Sequence, residues 1–317
     1  MLSRTADNLY WMTRYLERAE TTARLLEVGA RTSLLPNVGG GYRNEWDAIL
    51  LALGLDAPFA LIHDEVSEAN VLEFLFFDRT NPASVYSCIE RARENGRIVR
   101  TALTALLWDG LNSAFQEIRA LSRKDRSKLE ISDLTEWTTR TTALIRGAIH
   151  GTQLRGDGYY FMELGRFLEL ADNTARFLDV KYYVLLPKVD YVGTGYDNAQ
   201  WVTLLRAVSA WRAFNWAYGQ EMTPKRIAHF LILNRQMPRS LLSTVTGALE
   251  CLESLSRGYG KPTPALGRAR DLMGQLAETS VDDIFEEGLH EFLGRFVSDI
   301  GVIGADVHDA YLGGAWA

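Results

Sequence analysis

Residues 14–28 read RYLERAETTARLLEV, and residues 166–180 read RFLELADNTARFLDV. The two stretches align without a gap, nine of their fifteen positions are identical, and most of the others exchange similar side chains. Apolar residues recur every three to four positions in both, which is the spacing of an amphipathic helix. A helix kept twice in one chain indicates an internal repeat, and a repeat decides the architecture.

The match continues in the same order on the C-terminal side of both helices. Three further pairs of blocks align: VGGGYRN at 38–44 with VGTGYDN at 192–198, Trp46 with Trp201, and FLFFDRTNPAS at 74–84 with FLILNRQMPRS at 230–240. The offset between the copies drifts from 152 to 156, as short loop insertions would produce. We therefore predict a single domain over 1–317 that contains two copies of one helical unit, at about 1–150 and 153–317, related by a pseudo-twofold axis.

Helical periodicity extends over most of the chain, so the predicted fold class is all-α, a helical bundle or array built from two repeated multi-helix units. The predicted helices lie at about 5–30, 45–54, 67–77, 82–122, 132–152, 157–184, 197–220, 223–234, 238–256, 264–278 and 280–312. The stretch 82–122 is too long for one helix, and a break is predicted near Asp109 and Gly110. The glycines at 39–41 predict a turn between helices rather than a phosphate-binding loop, because no Lys-Ser or Lys-Thr pair follows them.

Composition excludes several classes of protein. The 317 residues are 47% hydrophobic and 23% charged, with a net charge of −6 that is spread evenly, so the basic surface of a nucleic-acid-binding protein is absent. No run of about 18 apolar residues predicts a transmembrane helix, and the first residues lack the apolar core of a signal peptide. Cys88 and Cys251 have no metal or disulfide spacing and are predicted to be buried free thiols. We expect a cytoplasmic protein that binds neither nucleic acid nor membrane.

A charged stripe runs along the repeated helix. On a helix, Arg14, Glu17, Thr21 and Arg24 fall within one narrow arc, with Glu20 at its margin and apolar residues on both sides. The second copy repeats the layout with Arg166, Glu169, Asp172, Asn173 and Arg176. The candidate ligand-binding residues are therefore Arg14, Glu17, Glu20, Arg24, Arg166, Glu169, Asp172 and Arg176.

Two interpretations of the stripe are open. In the structural one, the charges pair along each helix and across the pseudo-twofold axis, and the network fixes the packing. In the functional one, the arginines bind a carboxylate or phosphate. Glu17 and Glu169 then bind an amine or act as catalytic bases, for which raised carboxyl pKa values would be suitable.

Neither a metal nor a cofactor is predicted. Glu17, Glu20, Glu169 and Asp172 could in principle form an oxygen-only metal site, but the adjacent arginines compete with a cation and the stripe contains no histidine. A di-iron helical bundle needs a Glu-x-x-His motif on each of two helices. This chain has one, at residues 287–290, and it has no Gly-x-Ser-x-Gly motif.

Three blocks of the sequence resemble the bacterial alpha-E domain family. They are LSRTADNLYWMTRYLERAETTARLLEV at 2–28, FLFFDRTNPASVYSCIERARENGRIVR at 74–100 and GDGYYFMELGRFLELADNTARFLDVKYY at 156–183. The resemblance implies an all-helical protein with recurring glutamates, here Glu17 and Glu169, and with nearby arginines at positions 14, 24, 166 and 176. The chain departs from the family pattern at Leu170, where an arginine is common, although the aligned residue of the first copy is Arg18.

The resemblance also implies a functional context. Alpha-E domains are typically encoded beside an ATP-grasp-like ligase and a transglutaminase-like protein, and are suspected of serving peptide synthesis or modification. The leading hypothesis is therefore an accessory component of an ATP-grasp-type peptide or amide ligase system that binds a peptide, an aminoacyl group or a partner protein at the stripe. The alternatives are an enzyme that uses Glu17 or Glu169 as acid or base with arginine clamps, and a purely structural helical scaffold.

Overall fold

The computed structural model describes residues 1–34, 45–183, 195–219 and 221–313. Residues 182, 183 and 195–198 are described by their backbone alone. Every regular element within these ranges is helical, and they contain no strand. The predicted all-α class is therefore confirmed for the described residues. The predicted turn at 39–41, the block 38–44 and residues 192–194 lie outside them.

The α-helices are α1 Ser3–Ser33, α2 Glu45–Leu53, α3 Asp56–Ala60, α4 Glu68–Leu72, α5 Val85–Ile98, α6 Ala105–Leu121, α7 Ile131–Thr152, α8 Asp157–Tyr183, α9 Gly195–Ala207, α10 Trp211–Tyr218, α11 Pro224–Ile232, α12 Leu241–Tyr259, α13 Pro264–Glu278, α14 Val281–Glu287 and α15 Leu289–Val307. Short π-helical turns follow α4 at Glu73–Phe77 and α15 at His308–Leu312. Helix α12 is followed by its C-cap residue Gly260, whose φ of 66° lies in the left-handed region that glycine adopts readily.

The break predicted near Asp109 and Gly110 is wrong. Both residues lie inside α6, and the chain instead leaves the helix between α5 and α6, where Arg100–Ala102 form a 3₁₀ turn. The hydroxyl of Thr104 starts α6 by accepting a hydrogen bond from the backbone N–H of Leu107. The capping side chain of Thr104 thus sets the start of α6. Gly110, which is packed inside α6, does not interrupt the helix.

The two long helices that carry the stripe, α1 and α8, pack against each other at the centre of the fold. Helices α5 and α7 flank α1, whereas α12 and α15 flank α8. The short helices cross over: α2 packs mainly on α8, and α9 packs mainly on α1. This arrangement surrounds the stripe with helices on several sides.

The backbones of α1 and α8 approach closely where they cross. A Cβ atom on Gly165 would lie 2.3 Å from the carbonyl oxygen of Tyr10, so this position of α8 has no room for a side chain. Next to it, the hydroxyl of Thr13 donates a hydrogen bond of 2.6 Å to the carbonyl of Met162. Small residues at the crossing therefore bring the charged stripes of the two helices within reach of each other.

Both thiols are free and buried, as predicted. Burial raises the pKa of Cys88 and that of Cys251 to about 12, because a thiolate in apolar surroundings loses its hydration. No described helix combines the length and the apolar character that crossing a bilayer would need.

Candidate functional site

The stripe lies inside the molecule and not on a solvated face. Glu17 is 3% exposed, and Glu20 and Glu169 are each 1% exposed. A carboxylate that loses water remains ionised only when cations and hydrogen-bond donors replace it. The partners of these three glutamates therefore define what the stripe can do.

Glu17 and Glu20 form a closed cluster with three arginines, Arg24, Arg146 and Arg239. Nη1 of Arg239 donates to Glu17 at 3.1 Å, and Nε of Arg24 donates to Glu20 at 3.0 Å. Arg146 and Arg239 each donate a further hydrogen bond to Glu20. These arginines come from α1, from α7 and from the residue before the N-cap of α12, so the closed cluster ties three parts of the fold together.

The electrostatics of the closed cluster favour the ionised form of Glu20. Burial alone would raise the pKa of Glu20, but Arg239, Arg24 and Arg146 outweigh it and lower the pKa to about 2. The hydroxyl of Thr142 adds a hydrogen bond of 2.8 Å to the same carboxylate. Glu20 is thus a permanent anion near neutral pH and a poor proton acceptor.

Glu169 forms an open cluster with Arg14, Arg18, Asp172 and Arg176. Nε of Arg14 donates to Glu169 at 2.7 Å, and Arg18 donates through Nε at 2.6 Å and through Nη2 at 3.1 Å. Burial opposes ionisation, but these two arginines hold the pKa of Glu169 below its ordinary value. One turn further along α8, Arg176 donates to Asp172 at 2.8 Å. The side chains of this second pair are 33% and 21% exposed, so the open cluster reaches the surface.

Two cavities adjoin the open cluster, and Glu169 itself lines one of them. The aromatic cavity has a volume of about 330 Å³, and its lining includes Tyr10, Trp11, Arg14, Asp172, Gly301 and His308. The guanidinium of Arg14 lies 4.8 Å from the ring centroid of Trp11, which keeps it over the aromatic face. Glycine at position 301 leaves this wall of the cavity without a side chain.

The polar cavity is smaller, about 190 Å³, and its lining includes Arg18, Ala83, Glu169, Asp172, Asn173 and Arg176. Asp172 lines both cavities, and each of the two arginines that hold Glu169 lines one of them. Asn173 is 5% exposed, and its Nδ2 amide group has no hydrogen-bond partner within the described part of the chain. The two cavities thus share a wall at Asp172, and together they are called the groove below.

The structure brings most of the predicted site residues together, but in two separate groups. Of the predicted residues, the closed cluster contains Glu17, Glu20 and Arg24. The open cluster contains Arg14, Glu169, Asp172 and Arg176. Arg166 joins neither. It binds Glu163 at 2.7 Å, and its guanidinium lies 4.0 Å from the ring centroid of Phe167.

The predicted site residues did not include Arg18, Arg146, Arg239 or Asn173. A signal existed for Arg239, because it aligns with Ala83 in the two similar blocks, so only one of these blocks has a charge at this position. Arg146 belongs to a helix outside the aligned blocks, and only packing reveals its role. In the residues that the structure describes, no group of three or more His, Cys, Asp or Glu side chains could hold a metal ion.

The fold and the site define an all-helical protein in which two long central helices bury clusters of arginine and glutamate between them. The chain belongs to the Alpha-E family, described as a predicted alpha-helical domain with a conserved ER motif, whose profile matches residues 1–312. Glu17 and Arg18 are a consecutive Glu-Arg pair in this chain, and they serve different clusters: Glu17 binds Arg239, whereas Arg18 binds Glu169. No curated protein and no solved structure matches the chain.

Proposed function

We propose that the chain is a helical binding component of an ATP-grasp-type peptide or amide ligase system. It binds a peptide, an aminoacyl group or a partner protein in the groove formed by the aromatic cavity and the polar cavity. The observation that carries this proposal is that the two arginines on buried Glu169 each line one of two adjacent cavities. Arg14 and Arg18 are thereby fixed in position and also accessible to a ligand.

The composition of the groove supports a ligand with both polar and apolar parts. Ligand sites in proteins combine an apolar or aromatic wall with a few fixed polar groups. Here Tyr10 and Trp11 supply the aromatic wall, and the arginines and Asp172 supply charges of both signs. A peptide or an aminoacyl group offers complementary apolar groups, amides and charged ends.

The pKa directions favour binding over acid–base catalysis at this site. A carboxylate that acts as a general base works best when its pKa is raised towards neutrality. The pKa of Glu169 is instead lowered, since two arginines stabilise its ionised form. We therefore propose that Glu169 positions Arg14 and Arg18 and does not transfer protons.

The scaffold hypothesis fits the other half of the stripe. Arg239 binds both glutamates of the closed cluster, and none of the five residues of this cluster lines the aromatic or the polar cavity. We propose that Glu17, Glu20 and Arg24 hold helices together, whereas the open cluster binds the ligand. The stripe would then serve structure at one end and recognition at the other.

We also propose that the two halves are diverged copies related by a pseudo-twofold axis. Two contacts support this relation. Arg24 of α1 donates to the carbonyl of Ala207 at the end of α9, and Arg176, which aligns with Arg24, donates at 3.4 Å to the carbonyl of Ala52 near the end of α2. Position 52 aligns with 207 at the offset of the two tryptophans, so each copy's arginine reaches the same place in the other copy.

The choice of partner rests on the family resemblance. An ATP-grasp-like ligase and a transglutaminase-like protein are the proposed partners, and the cytoplasm, where ATP is available, is the proposed location. Of these, the ligase is the partner to test first, because its product would carry the amide and carboxylate groups that the groove suits.

The test fills the aromatic cavity without touching the ion pairs. Gly301 lines the cavity and a Cβ atom there would meet nothing within 4 Å, so Gly301→Leu adds a bulky side chain at the cavity wall without a backbone clash. Gly294→Leu is the matched control, because it lies exposed on the same helix, has equally open space and is not part of the cavity lining.

The measurements are co-purification of the chain with an ATP-grasp-type ligase from the same genome, and the yield of modified peptide by mass spectrometry. We expect Gly301→Leu to weaken binding at least about tenfold, which corresponds to about 1.4 kcal/mol of binding free energy, and therefore to lower both the capture of the ligase and the peptide yield. Gly294→Leu should match the unaltered chain. Unchanged capture and unchanged yield in Gly301→Leu would refute the proposed groove.

A further inference from the structure

We propose that the outer face of α10, together with the cavity beside it, is a docking surface for an acidic segment of a partner protein that carries an apolar side chain. This docking surface lies in the second half of the chain and shares no lining residue with the aromatic or the polar cavity. It is therefore separate from the groove and does not depend on the function proposed for the groove.

The first feature of the docking surface is an exposed tryptophan. Trp216 is 93% exposed, although it lies within a regular helix whose other face is packed. Phe214 is fully buried, and its ring lies 5.2 Å from that of Tyr218 and 5.5 Å from that of Phe230, measured between centroids. The buried face thus holds α10 in place, and Trp216 is presented to solvent on a fixed backbone.

The second feature is a cavity next to this tryptophan. It has a volume of about 390 Å³, and its described lining consists of Trp216, five further apolar residues and two neutral amides. The five apolar residues are Ala213 and Ala217 of α10, Phe230 of α11, and Met237 and Pro238 of the segment that follows α11. An apolar side chain that enters the cavity gains free energy by leaving water. Aromatic residues and methionine are also enriched in the buried cores of protein–protein interfaces.

The third feature is the charge around the cavity. Residues 198–249 contain six basic residues and one acidic residue, Glu221, although the whole chain has a net charge of −6. Three of the six form ion pairs with carboxylates, Arg239 within the closed cluster and Lys225 and Arg226 with nearby acidic residues. The other three are exposed and have no ion pair within the described part of the chain; they are Arg206, Arg212 and Arg235.

Two of the unpaired arginines flank the cavity. Arg212 lies one turn before Trp216 on the same face of α10, and Arg235 lies between two residues that line the cavity. Arg206 is close to the start of α10, since its guanidinium lies 5.6 Å from the ring centroid of Trp211. An apolar cavity with unpaired cations at its edge is complementary to an apolar side chain flanked by carboxylates.

An acidic protein segment suits this surface better than other ligands do. A small molecule inside the cavity would leave the outer face of Trp216 and the arginines in water. A second copy of the chain, docked about a twofold axis, would place Arg212 and Arg235 opposite the same arginines, and like charges repel. A nucleic acid binds through many phosphates, and the net charge of −6 repels a polyanion. An acidic peptide needs only the few cations that are present.

The experiment selects peptides on the full chain without assuming their sequence. Phage-displayed random dodecapeptides are panned on the immobilised chain, and the enriched peptides are synthesised and titrated against it by isothermal calorimetry. We expect the enriched sequences to combine an aromatic or long aliphatic side chain with neighbouring aspartate or glutamate. Their affinity should fall as the salt concentration rises, because screening weakens the attraction between exposed charges.

Three variants locate the binding. Trp216→Ala should weaken it at least about tenfold, since tryptophan at the centre of an interface contributes strongly to binding. Arg212→Glu and Arg235→Glu should each weaken it as well, because they reverse the charge beside the cavity. The matched controls are Leu144→Ala and Arg140→Glu, which alter an exposed apolar residue and an exposed arginine of α7 and should preserve the affinity. All five substitutions are at exposed positions, so the midpoint of urea unfolding should stay close to that of the unaltered chain.

Several results would overturn the docking surface. One is panning that enriches only neutral or basic peptides, or no peptide whose binding depends on Trp216. Peptides that lose affinity in Gly301→Leu and not in Trp216→Ala bind the groove, and the docking surface is wrong if only these are enriched. Oligothymidylate that binds more tightly than any peptide and is lost in Trp216→Ala would indicate a nucleic-acid site instead. A dimer in sedimentation velocity that Trp216→Ala dissociates would indicate self-association.

Discussion

Nε of Arg14 lies 2.7 Å from a carboxylate oxygen of Glu169, and the two residues are 155 positions apart in the chain. Arg14 aligns with Arg166, and Glu17 aligns with Glu169, so a symmetric molecule would also pair Arg166 with Glu17. That pair is not formed: Arg166 binds Glu163, and Glu17 takes Arg239 instead. The two ends of the stripe therefore differ in their ion pairs, and the cavities lie at the end that contains Glu169.

Replacing Glu20 by glutamine should destabilise the fold strongly. The carboxylate of Glu20 binds Arg24, Arg146 and Arg239 in a buried setting, and its removal leaves these cations without their main anion. Breaking a buried ion pair by removing one partner costs about 3–5 kcal/mol, which we expect as the loss in the free energy of unfolding measured with urea.

Glu27→Gln is the control for that measurement. Glu27 pairs with Arg31 one turn along the same helix, and the side chain of Arg31 is 45% exposed. Exposed pairs contribute about 0–1 kcal/mol. The free energy of unfolding of this variant in urea should therefore lie close to that of the unaltered chain. Equal effects of Glu20→Gln and Glu27→Gln would contradict the structural role of the closed cluster.

Acid should weaken the fold through the closed cluster. The pKa of Glu20 is about 2 in the folded protein, below its ordinary value of 4.5. A lowered folded-state pKa means that the unfolded chain binds the proton first, so the stability contributed by Glu20 is complete above about pH 4.5 and declines as the pH falls towards 2. The free energy of unfolding, measured across this range, should fall less steeply in Glu20→Gln than in the unaltered chain. If the free energy of unfolding changes with pH equally in Glu20→Gln and in the unaltered chain, the lowered pKa of Glu20 is wrong.

Much of the fold follows from periodicity, because helix positions depend on local spacing and capping. The helices at 264–278 and 132–152 match the predicted limits to within one residue. The wrong break near Gly110 shows the limit of this reasoning, since that glycine is packed 3.3 Å from Ile145 inside a helix, as measured from the position its Cβ would take. Tertiary packing determines whether a glycine interrupts a helix, and the spacing of residues in the sequence does not reveal that packing.

The candidate site could be predicted only in part for the same reason. The stripe was visible because its charges are repeated, and its burial was indicated by the apolar residues beside it. The partners from other helices, Arg146 and Arg239, are brought in by tertiary structure, so local spacing cannot select them. The division into a closed and an open cluster depends on those partners and therefore needed the structure.

Both cysteines should resist thiol reagents in the folded protein. Burial raises the pKa of Cys88 and Cys251 to about 12, and the thiolate is the reactive form. We expect labelling with a thiol-specific reagent at pH 8 to proceed only as fast as the chain opens, and to become fast for both residues in denaturant. Rapid labelling of either thiol without denaturant would show an exposed cysteine and contradict the packing around it.

Gly165→Ala should separate the two central helices. The new Cβ would lie 2.3 Å from the carbonyl oxygen of Tyr10, and backbone atoms cannot move aside as a flexible side chain can. Overpacking of this kind costs about 1–3 kcal/mol, so the midpoint of urea unfolding should fall. Because Glu169 lies one turn from Gly165, the shift should also weaken the contact of Glu169 with Arg14.

Gly147→Ala is the control, because Gly147 is exposed within α7 and a Cβ atom there would meet nothing within 4 Å. The lower entropy of the unfolded chain should stabilise this variant by about 0.4–1 kcal/mol. If Gly165→Ala is as stable as Gly147→Ala, the close crossing of α1 and α8 is wrong.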